Sequence, residues 1–501
     1  MAVSVISAPQ LYSPAYNSIV WTVNSSNKAQ CNFRYRCDVY VNTVLVASLP
    51  MYPTGPNGYA EFKINRVIQD YLSYNLQNNL YGFAENDASI CRYVLKFGEE
   101  YDNSVDCDAG TTIYSDLTTT ASYFAWNAAM QYREFEEFDY DTFVMDDSAA
   151  KFLTHSPSEV LIGEGQQFAI NFFNITNNKV YALVVDTYDS SGTPIQSCEI
   201  QNTAYYSVAA GDTSRRMLSV GVGTDNLNNS TLLSGNQPVI TADVAYYKIY
   251  LEDSLANVIS EVKRFTIDRR YTKYGVNRFW WLNRLGGFDA YSFTKLSNRT
   301  TGITRTEYHK LMGALDTSAS PDVWKYSIGD RGRTNISIDA QDRFKTNSHW
   351  LTEDEALWME ELFTSLEPYL IDTFHQNCDN LTDFDCSDGD PSYLILYVSD
   401  VSLYSIGDSV YVEFVNDVMG YNGIHTVLTV GSNFIIIDQL CDAEEEPELR
   451  TGQVYLLGFD AELDPIIITS AAWEEKLKSS IKNIQYLIDV DKAYKINIQR
   501  N

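Results

Sequence analysis

CNFRYRCDVYVNTVLVASL, residues 31–49, sets the fold class. Phe33, Tyr35, Cys37, Val39 and Val41 fall on one side of an extended chain, and Asn32, Arg34, Arg36 and Asp38 on the other. Strict period two over this length predicts a half-buried strand. Asn42-Thr43 then supplies a turn, and VLVASL (44–49) is the returning strand. SIVWTV (18–23) predicts a strand with Trp21 as a core anchor. YAEFKI (59–64) alternates again. Asn65 is expected to cap a short helix whose Val67, Ile68, Tyr71 and Leu72 share a face. ICRYVLKFGEEY (90–101) closes the set. Strands at this spacing predict an immunoglobulin- or fibronectin-like β-sandwich over 1–115.

The same pattern continues outward. Residues 116–150 form an aromatic and acidic lead-in, REFEEFDYDTFVMDD included, whose Phe135 and Phe138 need a surface to pack on. VYALVVDTYDSSGTPIQSCEI (180–200) contains a hairpin turning at Asp189–Gly192. A second hairpin turns near Asp253–Asn257, so 116–268 reads as a second sandwich. In 269–372, aromatic strands around Trp280-Trp281 break at Gly286-Gly287. Thr352 and Glu355 make a capping box ahead of an amphipathic helix with Trp358, Met359, Leu362 and Phe363 on one stripe. Residues 373–392 read as loop. Five short strands over 393–457 predict a small SH3- or OB-like barrel. PIIIT (465–469) is expected to pair beside EPYLI (367–371), which makes 373–460 an insertion into a C-terminal β-rich domain of 269–372 and 461–501. Ser470 is expected to cap an amphipathic segment, AAWEEKL (471–477). The whole chain thus reads as all-β and multi-domain.

Composition narrows the function classes. The chain has 501 residues, 36 Tyr and a net charge of −30. That charge opposes phosphate-backbone binding, which takes clustered Lys and Arg, and so argues against a nucleic-acid partner. It opposes adsorption to anionic membranes, and no apolar run is long enough for membrane insertion. The acid keeps a Tyr-rich surface soluble, or meets a basic partner or calcium. MAVSVISAPQLYSPAYNS (1–18) has neither a basic nor an apolar signal region, so synthesis in a cytoplasm is expected. The eight Cys are scattered and read as reduced thiols.

No catalytic motif stands out. The five His are far apart, and neither a nucleophile elbow nor a phosphate loop is present. No catalytic residues are assigned, and the chain is not expected to be an enzyme. One cluster has ligand chemistry: His375, Cys378, Asp383, Asp385 and Asp388 lie together with Cys386. They read as a solvated loop, as a calcium site or as a zinc site. Trp280, Trp281, Tyr205, Tyr206, Phe135 and Phe138 are candidate interface aromatics; the tryptophans read as core, interface or sugar-stacking platforms.

Several segments carry a resemblance. SPAYNSIVWTV (13–23), FRYRCDVYVN (33–42) and GYAEFKINRVIQDYL (58–72) resemble the Ig-like unit that begins many virion proteins of tailed phages infecting Bacteroides- and Flavobacterium-like bacteria. RFWWLNRLGGFDAYSF (278–293), WLTEDEALWMEELFTSLEPYLI (350–371) and the stretch from Pro465 to the end resemble segments of the same proteins. Residues 373–460 depart from that pattern. The resemblance implies a structural virion protein of the tail, baseplate or collar. It would assemble in the host cytoplasm into a symmetric homo-oligomer with other virion proteins. The alternatives are a virion protein that binds a host receptor or glycan, and a tail-associated polysaccharide depolymerase.

Overall fold

Strand Cys31–Val41 turns at Asn42-Thr43, where both residues are left-handed with φ of 46° and 74°, and returns as Val44–Met51. Two consecutive left-handed residues match the twist of the strands they join. The computed structural model describes residues 3–77, 79–102, 107, 112–114, 118–174, 179–202, 215–269, 276–318, 320–326, 332–372, 377–386, 393–398, 401, 404, 406, 409–414, 423–440, 452–456, 462–478 and 481–493. The protein is all-β and divides into two units, 1–370 with 464–501, and 371–463.

In the first unit, Cys31–Val41 sits between Val44–Met51 and Ile90–Asp102 in a seven-stranded sheet. Strands Val3–Ser7, Val20–Ser25 and Ala60–Lys63 form a second sheet. One core lies between them, where Trp21, Val23 and Phe62 meet Tyr35, Val39 and Phe97. Alternate residues of each strand supply that core, as period two requires. Two expectations are corrected here. The helix Asn65–Gln69 is capped by Ile64 without a side-chain bond, because Ile64 is drawn into the core and the chain turns before Asn65 does. Cys31 and Cys107 are joined in a disulfide instead of standing as free thiols. The ladder between Cys31–Val41 and Ile90–Asp102 places Cys31 opposite Asp102, five residues before Cys107.

A five-stranded sheet runs in the order Glu159–Gly163, Lys263–Asp268, Tyr246–Glu252, Ala182–Tyr188 and Pro194–Gln201. Its hairpins turn where expected, with Asp189 and Asp253 accepting backbone N–H bonds from the turns that follow them. A three-stranded sheet holds Ala169–Phe173, Met217–Gly221 and Phe83–Glu85. Phe83–Glu85 is early in the chain, yet it pairs with strand 217–221. Buried Asn171 ties these segments together, its Oδ1 accepting from Gln77, Asn86 and Ser219.

The third assembly is a seven-stranded sheet: Phe288–Phe293, Asn277–Leu282, Pro368–Asp372, Glu462–Lys478, Ile481–Lys492, Arg333–Asn347 and Asn298–His309. The expected neighbours 367–371 and 465–469 do lie side by side. The expected segment after Ser470 does not: strand Glu462–Lys478 continues through AAWEEKL, pairing with Ile481–Lys492 to the end. A neighbouring strand on that side outweighs a local pattern that suits either structure. The helix Glu353–Thr364 begins with the capping box, Thr352 Oγ1 accepting from Glu355 N and Glu355 Oε2 accepting from Thr352 N. It buries Trp358, Met359 and Leu362, while Phe363 meets Tyr486 edge-on.

The Gly286-Gly287 break is a tight turn held by Asn283, whose Oδ1 accepts from Leu285 N and Gly287 N. Gly286 has φ of 83°, and a Cβ there would stand 2.4 Å from the Asn127 carbonyl oxygen. Gly286→Ala is therefore expected to cost about 2–4 kcal/mol, from left-handed strain plus a clash against backbone. Urea unfolding of the two chains measures it.

The second unit is a closed barrel in the order Asn377–Cys386, Tyr393–Val398, Phe434–Leu440, Gly423–Val430, Ser409–Phe414 and Gly452–Leu456. Leu394, Leu396, Val410, Val412, Ile435 and Val454 fill it. It has six strands, where the sequence predicts five. The sixth is Asn377–Cys386, which was expected to be loop; ladders on both sides override its Asp-rich composition. No helix among the described residues is long and apolar enough to cross a membrane.

Candidate functional site

Two features of the first unit carry chemistry or contact potential. The first is a buried carboxylate network where strand 288–293, helix 353–364 and the segment before Glu159 meet. On the helix, Trp358 and Glu361 are one turn apart and share a face. Trp358 Nε1 donates to Asp289 Oδ2 at 2.8 Å, and Thr154 Oγ1 donates to Asp289 Oδ1 at 2.8 Å. Glu361 Oε1 meets His155 Nδ1 at 2.5 Å, and its Oε2 accepts from Arg284 N at 3.2 Å. Lys263, also buried, donates to the Ser156 carbonyl and hydroxyl.

Burial pushes the Asp289 carboxyl up to about 6, and the charge of Glu361 adds to this against the bonds from Trp358, Thr154 and Asn283. Burial pulls His155 down, but its bond to Glu361 and that charge outweigh it, so the imidazole ends above its usual range. Burial holds Lys263 below its usual range against the pull of Glu261 and Asp289. Both oxygens of Asp289, and both of Glu361, are already engaged. This pair therefore ties three segments of the fold together.

Glu361 also lines an open cleft of about 480 Å³, with Arg284, Glu367, Tyr74 and Leu366. Tyr369 donates to Glu367 at 3.1 Å and meets Tyr74 at 3.0 Å, so the acid on this wall is bonded too. The free thiols of Cys37, Cys91 and Cys198 are buried, and burial raises all three, Cys91 to about 12, which leaves them protonated at neutral pH.

The residues singled out from sequence are placed as follows. Trp280 and Trp281 have no exposed surface, so neither offers a face to a sugar or another subunit. Phe135 and Phe138 stack on one another, and Phe138 leans on Trp126, within a core shared with Tyr12 and Phe173. The acidic segment 132–147 is thereby packed onto its own chain. Tyr205, Tyr206, His375 and Asp388 lie outside the described residues. Cys378, Asp383 and Asp385 belong to strand Asn377–Cys386, opposite Tyr455, Tyr397 and Ile395, so the loop on which the metal readings rested is a paired strand. Among the described residues, no three His, Cys, Asp or Glu side chains converge as ligands. The network of His155, Asp289 and Glu361 was missed because its members are up to 206 residues apart.

The second feature is a ribbon. Strands Asn298–His309 and Arg333–Asn347 pair along their length, but Ile481–Lys492 supports the second strand only from Arg343 to Asn347. Outward of Arg343, among the described residues, no third strand pairs with these two for about 30 Å, and Gln341 still donates to the Lys492 carbonyl. Every residue of Asn298–His309 is exposed. The tip, with strands Ala314–Asp316 and Val323–Lys325, carries exposed Leu311 and Tyr326 at 76% and 77%. No protein-family model matches this chain, and no curated protein matches it.

Proposed function

We propose that the chain is a structural virion protein of a tailed phage, a tail, baseplate or collar subunit that works by assembly. The solvent-exposed ribbon Asn298–His309/Arg333–Asn347 carries this reading. A two-stranded ribbon is marginal in water, and an exposed apolar tip is costly unless covered. An arm of this kind suits a subunit that completes its packing in an assembly. The packing of two sheets about one core in the first sandwich and the resemblance of its segments to phage virion proteins support the same reading. So does the committed state of the buried acids, which leaves the network a role in holding the fold.

The test is the composition of gradient-purified particles of the phage that encodes the chain. The expected result is the full-length protein at a stoichiometric copy number per particle, by quantitative mass spectrometry. Its absence from particles, with presence only in the lysate, sinks the reading.

A further inference from the structure

We infer that two copies of this chain join edge to edge through strand Asn298–His309, antiparallel and two-fold about Ile303. The inference rests on the assembly reading above and names the contact and the partner. Among the described residues, Asn298–His309 is the edge of its sheet, with Arg333–Asn347 as its one neighbour. An edge strand offers a row of backbone donors and acceptors to another strand, and this one is long and exposed throughout.

The sequence of the edge selects a second copy. A two-fold axis perpendicular to a sheet preserves its faces, and residues directly opposite share a face. The axis must therefore pass beside one residue, with that residue facing itself. Axes beside residues 302 to 305 keep most of the strand paired. An axis at Gly302 opposes Arg299 to Arg305. An axis at Arg305 opposes that guanidinium to itself, and one at Thr304 opposes Arg305 to Ile303. An axis at Ile303 opposes Arg299 to Glu307, Thr300 to Thr306, and Ile303 to its own copy. Opposite charges, hydroxyl pairs and apolar pairs are the combinations that stabilise a ladder.

Bonds within each chain extend the match. Arg299 pairs with Asp342, and Glu307 pairs with Arg333 at 3.0 Å. Joining two copies at Ile303 sets the four in the order Asp342, Arg299, Glu307, Arg333 across four strands, with alternating sign. Ile303, 54% exposed in one copy, is covered by its twin. The joined ribbon has four strands, past the size at which a sheet is marginal.

Cysteine pairing in the full chain tests both partner and register. Ile303→Cys, treated with diamide, is expected to give a reducible dimer. Thr300→Cys and Thr306→Cys are each expected to stay largely monomeric alone and to cross-link when mixed. Ile303→Lys is expected to weaken self-association at least tenfold by sedimentation, with an unchanged circular dichroism spectrum. Cross-linking of Thr300→Cys to itself, or a dimer that survives Ile303→Lys, overturns the register. A wild-type chain that stays monomeric at 100 micromolar overturns the pairing. The particle composition test stands apart: a chain found in particles but monomeric and uncross-linked removes this contact alone.

Discussion

Trp358→Ala is expected to lower the unfolding free energy by about 3–5 kcal/mol, the range for removing a large buried aromatic. The indole is 2% exposed and packs against Trp281 and Tyr291. Its loss opens a cavity and also strips Asp289 of a donor inside the fold. A buried carboxylate that loses a bond bears a further desolvation cost. Trp358→Phe separates the two effects: it keeps most of the packing, loses only the N–H, and is expected to cost about 1–3 kcal/mol. Urea midpoints at pH 7 with unchanged slope measure both. A loss below 1 kcal/mol for the alanine chain would mean that the helix is not seated on this network.

Stability is expected to fall as pH rises from about 4 to 8, most steeply between about 4 and 6. Asp289 and Asp225 are each raised to about 6 from 3.8, chiefly by burial. An acid raised in the folded state binds its proton more tightly there than in the unfolded chain. Its contribution is complete below the ordinary carboxyl value and is lost as pH climbs through 6. The rise from 3.8 to about 6 corresponds to about 3 kcal/mol for each group. His155 acts in the same direction, since its protonated form is favoured in the fold, and that contribution is lost as pH passes its raised value. Asp189, Asp253, Asp316 and Asp342 are lowered by their hydrogen bonds, and their opposite effect is confined below about pH 4. Unfolding in urea at pH 4.5 and 8 measures the difference. Asp225→Asn should flatten the profile while keeping an acceptor for Gln167 or Asn229. A profile that rises toward pH 8 would contradict the burial of these acids.

What the sequence made legible was local and periodic. The alternation from Phe33 to Val41, the Asn42-Thr43 turn and the Thr352/Glu355 box each rest on neighbours within a few residues. Asn377–Cys386 was hidden because six polar or acidic side chains masked a strand that ladder partners dictate. The Cys31–Cys107 bond depends on a register between strands that no spacing rule supplies. The segment after Ser470 suits either helix or strand until its partner is known. The abundant tyrosines were read as contact surface, yet several are internal, with the hydroxyl bonded inside the fold: Tyr35 to the Gly58 carbonyl, Tyr247 to the Val222 carbonyl, and Tyr12 accepting from Arg216. Composition reports that a ring needs one dry and one wet end, and does not report which side of the surface provides them.

The barrel leaves and rejoins its host between adjacent strands, Pro368–Asp372 and Glu462–Lys478. Its own first and last strands are also paired, with Asn377 opposite Leu456. The two ends of the guest are held together by the guest, and the two ends of the gap are held together by the host. Replacing one closed module with another of different length then changes the closure entropy of the host sheet very little. Genetic exchange at this point can renew the guest wholesale while the host sheet is inherited intact. Among descendants of this chain, sequence is expected to diverge fastest between residues 373 and 460.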